Sequence, residues 1–169
     1  MTRPDGDGAS RLPSLGRRGE GWVVGQGILL ALVALLGLPG LATLPPGDAG
    51  RRATVVIGLG LLVGGCLVGF AAARDLGRSL TAVPRPKPGA RFVDSGIYRL
   101  VRHPLYVAVI GVALGWGVAM ASVPAVITVV ALAAWLDAKS RREEAWLLGV
   151  YEGYAAYRRR TARFVPRLY

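Results

Sequence analysis

Apolar residues in this chain fall in long unbroken runs. Residues 22–44 ("WVVGQGILLALVALLGLPGLATL") and 53–73 ("ATVVIGLGLLVGGCLVGFAAA") contain no charge, and residues 103–136 contain none if His103 is neutral. A helix of about 20 such residues, at ~1.5 Å rise per residue, crosses the ~30 Å hydrocarbon core of a bilayer. The first two runs therefore predict membrane helices. The third, residues 105–136, would be about 48 Å long as one helix, too long for a single straight span. Within it "MASVP", residues 120–124, pairs a capping serine with a proline suited to a first helical turn. The pattern predicts a hairpin there, with two short arms of about 23 Å each. The expected fold class is an all-α integral membrane protein of about four transmembrane helices. The last two form a short C-terminal helical hairpin that continues into a cytoplasmic helical extension.

Composition sharpens this picture. The 169 residues are 53% hydrophobic yet carry a formal charge of +11, and the two properties are segregated along the chain. Four basic residues precede the first run and two lie between the first and second. Seven fall within residues 74–102 and eight within 139–167. Short loops rich in Lys and Arg stay cytoplasmic, so both termini and the 74–102 segment are expected inside and the 45–52 loop outside. A hairpin in the third run satisfies this rule, whereas a single span would put two basic segments on opposite faces. The expected division is a disordered N-terminus over 1–20, two membrane helices over 21–73, and a functional core over 74–169. The first run is longer than the h-region of a cleaved signal and lacks a cleavage site after it. The lone Cys66 reads as a small core residue. "GLGLLVGG" at 58–65 has no strand before it and reads as a packing stripe of small residues rather than a nucleotide loop.

The stretch "SGIYRLVRHPLYVAV", residues 95–109, holds the chain's one histidine at the threshold of the third run. Pro104 fits the first turn of a helix with His103 at its N-cap. Free N–H groups and the positive end of the helix dipole then lie at the interface beside Arg102, an arrangement suited to a carboxylate or phosphate. Tyr98 and Tyr106 flank it. The alternative is that these residues are interfacial anchors of a kind common at membrane helix ends. After the hairpin, Glu143 and Glu144 fall about two turns beyond the apolar end, so the return of the chain can bring them to the Arg102–His103 corner. An anion pocket beside a carboxylate pair suits a zwitterion; the competing reading pairs the two glutamates with Lys139, Arg141 or Arg142 on a solvated face.

These two boxes, "GIYRLVRHPLY" and "RREEAWLLGVYEGYAAYRRRTARFVP", resemble the isoprenylcysteine carboxyl methyltransferases and the wider set of membrane methyltransferases that includes phospholipid N-methyltransferases. The likeness covers about residues 76–166. Tyr98, Arg102, His103, Pro104 and Tyr106 match the first box, and Glu143, Glu144, Leu147, Tyr151, Tyr154, Tyr157 and Pro166 the second. Two departures stand out: Leu80 replaces a common Trp, and the segment between Tyr151 and Tyr154 is one residue short. The resemblance implies S-adenosylmethionine bound at the cytoplasmic face, with Tyr98, His103, Pro104, Tyr106, Glu143 and Glu144 as cofactor-binding residues.

Transfer of a methyl group from a sulfonium needs alignment and a dry pocket more than it needs a metal. No Cys/His cluster with metal-ligand spacing is present, and no metal is expected. A carboxylate acceptor requires a cation to hold it, for which Arg102 and Arg142 are the catalytic candidates. An amine acceptor requires a base such as His103 or Glu143. The expected function is therefore an S-adenosylmethionine-dependent membrane methyltransferase acting on a lipid-like or prenylated small molecule. The alternatives are a phospholipid N-methyltransferase, or a non-catalytic protein binding anionic lipid. Membrane lipids and a lipophilic substrate are the expected partners, with no nucleic acid. Usage rich in Arg, Gly and Ala suggests a bacterial inner-membrane, multi-pass protein.

Overall fold

A computed structural model of the chain describes residues 13, 15–42, 47–81, 83 and 92–166. The expected disorder of the N-terminus therefore falls largely outside the described residues, as does most of the Pro-rich segment before Phe92. Five α-helices make up the described fold: α1 (Glu20–Gly37), α2 (Ala49–Leu76), α3 (Pro104–Ala119), α4 (Val123–Val150) and α5 (Tyr154–Arg160). Residues 20–40, 49–79 and 123–150 are long and apolar enough to cross a membrane, and α3 is a shorter apolar helix of 16 residues. Together they give the all-helical membrane architecture that the apolar runs predict.

The hairpin turns where the serine and proline place it. Helix α3 ends at Ala119, Ala121 takes a positive φ of 51°, and α4 begins at Val123 with Ser122 as its N-cap. The Ser122 hydroxyl accepts a hydrogen bond from Ala125 N at 3.3 Å and donates one to Leu36 O at 2.6 Å. One side chain thus caps α4 and ties the turn to the end of α1. In a medium without water, such orphan backbone groups have few other partners.

Helix α2 lies along α3, and α1 lies along α4. The first contact depends on glycine. Gly58 and Gly65 face α3 so closely that a Cβ would strike the backbone of Ala119 and Val112, and Gly115 of α3 meets Leu62 and Gly58 in return. Lipid is as apolar as a side chain, so helices here gain by close backbone approach rather than by hiding from solvent. Gly60 and Gly64 meet nothing and face outward, so only half of the glycine stripe serves packing. Helix α1 presses Gly25 against the Trp135 ring and Gly37 against Trp116, while Trp135 donates to Trp22 O at 3.0 Å. Val33, Ala113, Val129, Leu132 and Leu136 form the core between these helices. Cys66, expected in the core, is exposed on α2; it lies one position past Gly65, and the next residue on a helix turns about 100° away.

Exposed Val24, Ile28 and Leu35 on α1, Val56, Leu67 and Phe70 on α2, and Ile127 and Val130 on α4 cover the outside of the bundle. This is the surface a bilayer solvates. Gly58→Leu is expected to lower the thermal midpoint in detergent, at a cost of about 2 kcal/mol. Gly60→Leu should leave it unchanged. Equal midpoints for the two variants would mean that the α2–α3 approach is not as close as described.

Candidate functional site

At the loop end of the bundle, the residues before α3 are held from three sides. Gly96 turns at φ 59°, where a Cβ would strike the Asp75 carboxylate, and that carboxylate accepts from Ile97 N at 2.9 Å. The chain after α5 then runs beside residues 101–103. Val101 and Ala162 form a parallel bridge, Arg102 N donates to Ala162 O at 2.9 Å, and His103 N donates to Arg163 O at 3.2 Å. Finally His103 stands at the N-cap position of α3, with no capping bond from its side chain, and buried Pro104 occupies the first position, as the sequence predicts.

Beneath this threshold lies a buried ionic layer. Glu144, 2% exposed, accepts from Arg102 Nε at 2.8 Å and lies 3.2 Å from His103 Nε2. The same carboxylate pairs with Arg158 Nε and Arg163 Nε, each at 3.3 Å. Arg102 also donates to the backbone carbonyls of Arg158 and Thr161. Arg163 reaches Asp137 at 2.8 Å, which in turn takes Arg141 at 2.7 Å. The solvated-face reading of Glu144 therefore fails: its partners come from the threshold and from the C-terminal segment, across 42 and 19 residues of sequence.

Above the layer opens a cleft of about 800 Å³, counting its mouth. Tyr98, Arg102, His103, Tyr106, Glu143, Leu147, Tyr151, Tyr154 and Tyr157 line it, with Phe92 and Leu105 among the remaining lining residues. Glu143 accepts from Tyr106 Oη at 2.7 Å and lies 3.7 Å from His103 Nδ1. The His103 and Tyr106 rings stack 5.2 Å apart. Phe92 gathers the three tyrosines of the second box: its ring lies 5.5 Å from Tyr151, 5.8 Å from Tyr154 and 5.2 Å from Tyr157. Tyr157 donates to Tyr98 O at 2.7 Å. Burial pushes the phenols of Tyr98, Tyr154 and Tyr157 well above their ordinary range. They remain neutral donors and aromatic faces at any physiological pH. The Tyr154 hydroxyl is buried and has no hydrogen-bond partner among the described residues.

Among the residues predicted for the site, Tyr98, Arg102, His103, Tyr106 and Glu143 meet at the cleft. Glu144 and Pro104 lie behind its wall and shape it. Arg142 is not a lining residue: its guanidinium stacks over the Trp146 ring at 4.6 Å, because it is the immediate neighbour of Glu143 on α4 and points about 100° away around the axis. Sequence reasoning did not single out Phe92, Asp75, Arg158 or Arg163. Their partners lie far off in sequence, and although Arg158 and Arg163 both fall inside the terminal box, nothing local joins them to Glu144.

An apolar helical bundle with a polar, aromatic-walled cleft at its loop end defines an all-helical membrane protein with a candidate site at that end. The chain belongs to the phospholipid methyltransferase family, whose match covers residues 53–153. It is also similar to the cobalt-zinc-cadmium resistance protein CzcN of Cupriavidus metallidurans, 46% identical over 78 residues. That stretch is 45% of this chain and 36% of the relative, so the two correspond over about a third of the latter's length. The family match takes in α3, α4 and the first box, but α1, α5 and the C-terminal segment that holds Arg102 lie beyond it.

Glu144→Ala would leave Arg102, Arg158 and Arg163 around an empty position, a loss of roughly 3–5 kcal/mol for a broken buried pair. Earlier thermal unfolding and faster proteolysis within residues 158–166 are expected together. A tail as protected as in the wild type would rule out this anchoring role. Tyr157→Phe, which removes one hydrogen bond, should cost only about 1 kcal/mol.

Proposed function

We propose that this protein is an S-adenosylmethionine-dependent methyltransferase that works at the cytoplasmic face of the membrane on a lipid-like acceptor. The observation that carries the proposal is the cleft itself: one guanidinium, one carboxylate and a wall of rings converge at the end of a lipid-solvated bundle. The cofactor's amino-acid end is a zwitterion, which Arg102 and Glu143 suit as a pair. Its sulfonium and adenine suit the faces of Phe92 and the tyrosines, since aromatic rings attract cations and stack with bases. The unpartnered Tyr154 hydroxyl would gain a hydrogen bond from any polar group bound there. When bound, the cofactor supplies a methyl group on a cationic sulfur that leaves as a neutral thioether.

The chain's own residues provide orientation and a destination for a proton. Pro104 and Glu144 hold the wall rigid, and the tyrosine cluster excludes water. His103 lines the cleft between two carboxylates, 3.2 Å from Glu144 and 3.7 Å from Glu143. A proton taken up by its ring therefore meets a counter-charge at once. An amine acceptor gives up one proton as it gains a methyl group, whereas a carboxylate acceptor gives up none. The His103 placement thus favours an amine on a lipid-like molecule, the phospholipid N-methyltransferase reading. A carboxylate acceptor of the prenylated kind would call on a cation besides Arg102, and Arg142 packs on Trp146 instead.

Purified protein in detergent is expected to bind S-adenosylmethionine, with Glu143→Gln and Tyr154→Phe each weakening binding by about tenfold or less, in keeping with one lost polar contact. Labelled methyl donor incubated with membrane lipid extract should yield a product whose label survives alkali. Release of the label as methanol would instead identify a methyl ester and overturn the amine assignment. Absence of cofactor binding would overturn the methyltransferase reading.

A further inference from the structure

Lys139 is 2% exposed and lies just past the apolar run of α4. Its ammonium donates to Gln26 Oε1 of α1 at 2.7 Å and lies 5.1 Å from the centre of the Tyr106 ring. Glu143, one turn further along α4, attracts it. The groups facing Lys139 include a neutral amide from α1, a phenol from α3 and a carboxylate from its own helix.

We infer that Lys139, held by Gln26, is a positioning residue that sets the Tyr106–Glu143 pair at the cleft. The ammonium sits over the face of the Tyr106 ring, where the cation–π attraction resists tilting of that ring. The hydroxyl of the same ring donates to Glu143 at 2.7 Å, so fixing the ring fixes the direction of the carboxylate. Neither Lys139 nor Gln26 lines the cleft. Their effect reaches it only through Tyr106 and Glu143. Gln26 belongs to α1, which lies before residue 53, where the family match begins. A helix beyond the family match would then tune the ligand site.

The inference rests on the proposed cofactor for one of its readouts and not for the other. Lys139→Met keeps the volume and removes the charge, whereas Lys139→Arg keeps the charge over the ring. In the ligand-free protein, the Tyr106 ring resonance of a sample labelled at tyrosine Cζ, assigned with Tyr106→Phe, is expected to shift in Lys139→Met. It should return toward its wild-type position in Lys139→Arg, with the Tyr157 resonance unmoved in both. The thermal midpoint of Lys139→Arg should stay at that of the wild type. The dissociation constant for S-adenosylmethionine should rise about tenfold in Lys139→Met and stay within threefold in Lys139→Arg. An unshifted Tyr106 resonance would overturn the inference, and so would a midpoint that falls alike in both variants, which would mark Lys139 as structural. Wild-type protein that binds no cofactor would overturn the proposed function alone, since the Tyr106 resonance still decides the role of Lys139.

Discussion

One carboxylate, that of Glu144, holds the loop end of the molecule together. Removing a charged group from water costs several kcal/mol, and the cost is recovered only when close counter-charges and hydrogen bonds surround it. Glu144 has Arg102 and His103 from the threshold of α3, and Arg158 and Arg163 from the C-terminal segment. Breaking any one of these contacts weakens the compensation for the rest. The threshold, the C-terminal end of α4 and the C-terminal segment therefore assemble as one unit. The cleft is a by-product of that assembly, since Arg102 and His103 reach its wall only in the positions Glu144 dictates.

The membrane part meets a different constraint. Between helices in lipid there is little to gain from burial, so contact comes from shape and from the few polar bonds available. Gly58, Gly65 and Gly115 let α2 and α3 touch backbone to backbone, and Gly25 and Gly37 admit tryptophan rings against α1. Ser122 bonds to Leu36 O and fixes the turn against α1. The result is a rigid pair of helices, α3 and α4, whose far ends carry His103 and Glu143 to a common corner. That corner lies at the end of an apolar bundle, where the proposed function needs a polar cofactor and a lipid-like acceptor to meet.

Much of this was legible beforehand. Charge-free runs longer than a bilayer is thick demanded membrane helices, and a run too long for one span demanded a turn. Ser122 and Pro124 marked its place because capping is a local matter of one hydroxyl and the next amides. Pro104 and His103 were placed for the same reason. The order of the two boxes across a hairpin was enough to bring Arg102 and the glutamate pair to one corner.

The sequence did not tell which glutamate would face the cleft. Adjacent positions on a helix point about 100° apart, so Glu143 lines the site, Glu144 lies beneath it and Arg142 goes to Trp146; only the rotation of α4 against α1 and α3 decides among them. Nor could the sequence show Phe92 among three tyrosines, Asp75 holding the turn at Gly96, or Lys139 over Tyr106 and bonded to Gln26. Each of these contacts joins residues separated by many positions, and none follows from a local preference. What the sequence by itself determined was the set of elements and the place of the hairpin turn, because hydropathy and capping act over a few residues. The tertiary structure decided which side chains meet, because that depends on how whole helices turn about their axes when they pack.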